Sequence, residues 1–148
     1  MNKWIIVCAT FALAAGVFAT RPLRSAPQDG GKLQAAMEEI GGAVKSIQTA
    51  LKTPDTVEKA LPEVWKAQRA TLDAKAELPK LVADLADEKA KRKAELAYRT
   101  QMQDLMRAFL DVEAAILAGD AKKADKALRQ ADNLKSAGHS QFRPRDGR

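Results

Sequence analysis

The chain has 148 residues, and its 25 lysines and arginines against 19 aspartates and glutamates give a formal net charge of +6. Its one cysteine, Cys8, lies in an N-terminal apolar run, so the remainder can build no thiolate zinc site, no iron–sulfur cluster and no CxxCH cofactor tether. The basic excess is mild and spread along helices rather than interleaved with aromatics, which argues for a solvated surface and against nucleic acid as a partner.

Residues 1–19, "MNKWIIVCATFALAAGVFA", open on Lys3, continue through an apolar stretch and end on Val17, Phe18 and the small Ala19. This is the pattern of a secretory signal peptide cleaved after Ala19, which implies an exported, periplasmic protein. The apolar run is shorter than the ~20 residues a bilayer-spanning helix needs, so no membrane anchor is expected in the mature form. Cys8 sits inside the apolar region rather than after it, which gives no support to a lipoprotein. Residues 20–31, "TRPLRSAPQDGG", read as a linker from their Pro, Gly and Ser content, and 144–148 as a basic tail.

Between them, residues 32–143 are rich in Ala, Leu, Lys, Glu and Gln and poor in β-branched runs, which predicts an all-α domain. The first helix carries Leu33, Met37, Ile40, Val44, Ile47 and Leu51 at spacings of four and three, a single apolar stripe of the bundle-forming kind. A second helix is expected from a Thr53 N-cap and Pro54, with Val57, Leu61, Val64, Trp65 and Leu72 inward, Pro62 disturbing its early turns and an end near Leu78. After Pro79 the charged stretch from Asp84 to Glu95 either extends the third helix or forms a separate short element. Beyond it Tyr98, Met102, Leu105, Phe109, Val112 and Ile116 restore the stripe. Gly119 ends that helix, Asp120 is placed to cap the fourth, and Ala124, Leu128, Ala131 and Leu134 lead to His139. Four helices joined by short connections predict an up-down-up-down antiparallel four-helix bundle, with a monomer expected.

In that topology the start of the first helix and the end of the fourth share one end of the bundle. Counting about 1.5 Å per residue puts Met37, Met102 and His139, the only histidine, within about one and a half turns of a common level. A neutral thioether facing a neutral imidazole across an apolar bundle is a donor pair suited to the two axial positions of a haem iron, and Met/His ligation favours electron transfer. The porphyrin would then be flanked by Leu33, Ile40, Leu72, Tyr98 and Met102, with Lys135 and Arg143 placed to meet its propionates. Taken singly, each residue has a plainer reading: a methionine on a stripe fills core, and a histidine in a last turn suits the helix dipole.

The sequence resembles the soluble cytochrome b562 family over roughly residues 32 to 143. "KLQAAMEEIGGAVKSI" is similar to the family's first helix, with Met37 at the ligand position and Leu33 and Ile40 at haem-contact positions. "GDAKKADKALRQADNLKSAGHSQFR" is similar to the fourth, with His139 at the other ligand position and Phe142 and Arg143 matching the aromatic and basic residues that follow. "VEKALPEVWKAQRATLDAKAELP" and "YRTQMQDLMRAFLDVEAAILAG" resemble the second and third helices, the latter with Tyr98 at an aromatic haem-contact position. Met102 stands where the family has a second packing aromatic, Lys135 replaces an arginine, and Gly138 beside the ligand position is expected to loosen the last turn.

The resemblance implies an exported b-type cytochrome that binds one haem b without covalent attachment and passes single electrons to a redox partner protein. The rival reading is a haem-free periplasmic helical bundle serving as a binding or adaptor module. An enzyme is not expected, because no nucleophile stands with a histidine base, no glycine loop cradles phosphate and no carboxylate pair falls in a pocket.

Overall fold

The computed structural model describes residues 30–143; the segments read as signal peptide and basic tail, and the linker up to Asp29, lie outside the described residues. Among those described are α1 (Gly30–Ala50), α2 (Leu61–Ala76), a single turn α3 (Lys80–Ala83), α4 (Glu88–Leu117) and α5 (Ala121–Phe142), with a 3-10 turn over Pro54–Ala60 and no strand. The four long helices form the expected antiparallel bundle in the cyclic order α1, α2, α4, α5. α1 packs on α2, α2 on α4 and α4 on α5 over long interfaces, whereas α5 and α1, which would close the ring, barely touch.

Two aspartates set where the last two helices start. Asp87 accepts the backbone N–H groups of Lys89 at 2.8 Å and Ala90 at 2.9 Å, satisfying donors that the first turn leaves unpaired. The charged stretch is thereby divided: from Glu88 onward it belongs to α4, while Asp84 closes α3. Asp120 caps α5 in the same way, accepting from Lys123 N at 2.9 Å.

Immediately before it, α4 ends with Gly119 at φ 70°, Gly119 N bonded to Ile116 O and Asp120 N to Ala115 O, both at 2.9 Å. That pair of bonds is a Schellman close, and a Cβ in this left-handed conformation costs about 1–2 kcal/mol. Gly119→Ala is therefore expected to lower the free energy of unfolding by about that amount, read from the urea midpoint at unchanged slope. A midpoint equal to the parent's would show that the turn accepts a side chain freely.

The stripes of α1, α4 and α5 point inward as their spacing predicts. Ile40, Val44 and Ile47 of α1 are buried, as are all six stripe residues of α4 from Tyr98 to Ile116, and Ala124, Leu128 and Ala131 of α5. The second helix departs from expectation. Its first two turns are 3-10 rather than α-helical, with the α-helix beginning at Leu61 beside Pro62, which sits in the first turn where its missing N–H is harmless. It stops at Ala76, short of Leu78, and α1 begins at Gly30, two residues inside the segment read as linker.

The inward face of α2 is also different: Val64 is buried, but the rest of the face is Ala67, Ala70, Thr71 and Ala74, while Trp65 and Leu72 are 47% and 58% exposed. Small residues let α2 lie close to its neighbours. Thr71 is tolerated there because its hydroxyl donates to Ala67 O at 2.7 Å. Trp65 lies outside because its indole N–H donates to Glu113 Oε1 at 2.7 Å; Gln68 Nε2 donates to the other oxygen at 2.6 Å, so one carboxylate ties α2 to α4.

Candidate functional site

Where α1 and α5 fail to meet, the bundle opens into a cavity of about 770 Å³. That volume lies within the ~300–1,000 Å³ typical of organic ligand sites. The walls come from α1, α4 and α5 and from the α2–α3 corner, and most of their surface is apolar. Leu33 and Met37 contribute from α1, Tyr98, Met102 and Leu105 from α4, and His139 and Phe142 from α5. Met37 and His139, from the first and last long helices, thus reach the same cavity, each half-buried.

The wall behind them is closely packed and hydrogen-bonded. Tyr98 is 1% exposed, its ring meets Phe142 edge to face at a centroid distance of 5.3 Å, and its hydroxyl donates to Ala74 O at 2.6 Å. Burial raises the phenol well above its ordinary range, so this hydroxyl stays a donor. Next to His139, Gly138 is buried against α4: a Cβ there would come within 3.0 Å of Gln101 Nε2, which itself donates to Leu134 O at 3.0 Å. Gly138 thus lets Gln101 tie α4 to the last turns of α5.

Charge collects at the mouth. Lys135 on α5 and Arg143 just past its end line the cavity four residues to either side of His139, and Lys135 Nζ pairs with Asp132 Oδ1 at 2.6 Å. Partial burial, followed by the neighbouring Lys135 and Arg143 charges, holds the His139 imidazole below its ordinary value. It is therefore a neutral nitrogen donor at neutral pH, the form a metal requires. The sign of the linkage follows: the unfolded chain takes the proton first as pH falls, so stability contributed by neutral His139 is present above pH ~6.5 and is lost below it. In the haem-free protein the urea midpoint is expected to fall more between about pH 7 and pH 5 than in His139→Gln; parallel curves would show that the imidazole is not held neutral by the fold.

Of the residues picked from sequence, Leu33, Met37, Tyr98 and Met102 line this one cavity, as do Lys135, His139 and Arg143. Two do not. Ile40 is fully buried in the core and off the cavity wall, and the expectation for Leu72 is corrected: it faces solvent and borders a separate shallow groove between α2 and α4. Sequence reading did not find Leu78, Pro79 and Leu105 on the wall. Leu105 was legible as one turn beyond Met102 on the same stripe. Leu78 and Pro79 were not, because the α2–α3 corner that carries them has no periodicity.

The fold is thus an all-α bundle with an apolar cavity at one end, a thioether and an imidazole on its walls and cations at its mouth. The family model described as Cytochrome b562 matches residues 32–143. The chain belongs to the cytochrome b562 family, whose members are haem-binding b-type cytochromes and electron carriers. No curated protein sequence matches the chain. No helix among the described residues is long and apolar enough to cross a membrane.

Proposed function

We propose that the protein is an exported b-type cytochrome whose cavity holds one haem b without covalent attachment, and that Met37 sulfur and a His139 ring nitrogen would hold its iron. The observation that carries this reading is the meeting of those two side chains on the walls of one apolar cavity at the open α1–α5 seam. Haem bound there would supply one-electron chemistry at iron.

The chain's own residues have defined tasks. His139 presents a neutral nitrogen because burial and two flanking cations disfavour its protonated form. Met37 presents an uncharged soft donor. Tyr98, Met102, Leu33 and Phe142 keep water from the cofactor faces, and the Tyr98 hydroxyl is turned away to Ala74 O. Lys135 and Arg143 would meet the propionates, Lys135 by exchanging its Asp132 partner. Export by the N-terminal segment, removed after Ala19, would deliver the chain to the periplasm, where a separate protein exchanges electrons with it.

The test is reconstitution. Titrating the purified mature chain with haemin should give a Soret band saturating at one equivalent and sharp low-spin bands on reduction, while raising the unfolding free energy by a few kcal/mol once haem exceeds its dissociation constant about a hundredfold. A featureless titration with no gain in stability would overturn the reading in favour of a haem-free bundle. The mass of the protein from a periplasmic fraction reports the cleavage site.

A further inference from the structure

The mouth of the cavity carries more positive charge than two propionates call for. Lys45 stands on α1 about two turns beyond Met37, Lys80 opens α3, and Lys135 on α5 and Arg143 just past its end flank His139. All four line the cavity, and Glu38 is the one carboxylate that does so. Glu38 Oε1 is engaged by Gln34 Nε2 at 2.9 Å, and Lys135 is paired with Asp132. Lys45, Lys80 and Arg143 are exposed and come from three different elements, so they surround the opening rather than run down one helix. With Lys135 and Arg143 assigned to the propionates, Lys45 and Lys80 have no task in holding the cofactor.

Exposed charges around an opening contribute little to affinity but strongly bias the encounter of charged molecules, because low-dielectric walls focus their field outward. From this placement we infer that the mouth is the face at which the protein meets its redox partner, and that the partner presents a cluster of carboxylates there. The inference rests on the haem reading above. It names the chemistry of the partner surface and the side of the bundle that receives it.

Two measurements on the haem-loaded chain test it. Hexacyanochromate(III), a redox-inert paramagnetic trianion, should broaden the backbone amide signals of Lys45, Lys80 and Arg143 more than those of Lys122 and Lys123 at the far end of the bundle. In the second, the reduced protein gives one electron to hexacyanoferrate(III), which becomes hexacyanoferrate(II). At low ionic strength the rate should fall roughly tenfold in Lys45→Glu/Lys80→Glu and recover as salt is added, whereas Lys122→Glu/Lys123→Glu, with the same change in net charge, should slow far less. Uniform broadening, or equal slowing by the two pairs, would overturn the inference. A failure of the haem reading would show separately, as the lack of a Soret band before any oxidant is added, and would remove this inference with it.

Discussion

Replacing His139 by alanine should weaken haem binding by more than about 100-fold and abolish the sharp reduced bands, while Met37→Ala should retain haem in a high-spin form with a shifted Soret maximum. The scale follows from metal sites generally, where loss of a residue that merely orients a ligand already costs 10–100-fold. The asymmetry follows from the donors. A neutral imidazole binds both oxidation states of iron well, whereas a thioether is a soft, weaker donor whose loss leaves the iron held from the other side. The surrounding wall supports separate readings of the two variants, because Gly138 and Gln101 fix the last turns of α5 independently of the imidazole. Spectral titration of each variant, with circular dichroism to establish that both remain helical, makes the comparison. Unchanged affinity and an unchanged low-spin spectrum in His139→Ala would sink the proposed ligation.

Tyr98→Ala should lower the stability of the haem-free protein by about 3–5 kcal/mol, and Tyr98→Phe by about 1 kcal/mol. Alanine deletes the largest fully buried side chain, removes the edge-to-face contact with Phe142 and leaves the Ala74 carbonyl without its phenol donor. Phenylalanine keeps the ring and loses only the hydroxyl. Because Ala74 lies near the end of α2 and Phe142 near the end of α5, the tyrosine joins both helices to α4 beside the cavity. The alanine variant is therefore also expected to lose haem at concentrations where the phenylalanine variant retains it. Urea unfolding gives both differences, and equal losses in the two variants would show that the hydroxyl, not the ring, dominates.

These three residues also show how far the sequence could be read. Tyr98 and its five partners on α4 follow a spacing of four and three with large side chains, so both the helix and its inward face were legible. The shared level of Met37 and His139 followed from counting residues along helices of known rise. α2 was misread because beyond Val64 its core face is built of alanines and a threonine, whereas Trp65 and Leu72 point out. Periodicity judged by size follows bulk, and in a close-packed interface bulk can lie on the wrong side. The role of Gly138 was hidden for a related reason. What it accommodates is Gln101 from another helix, and no local pattern pairs those two positions.

The open seam has a further consequence for how the chain assembles. The strong interfaces join α1 to α2, α2 to α4 and α4 to α5, partners separated only by short connections, so most of the architecture arises from local contacts of the kind that form quickly. Nothing in that sequence of events needs the first helix to find the last. Whatever enters the gap would then act as a rivet set into a finished frame, and amide exchange before and after its arrival should differ most in the opening turns of α1 and the closing turns of α5.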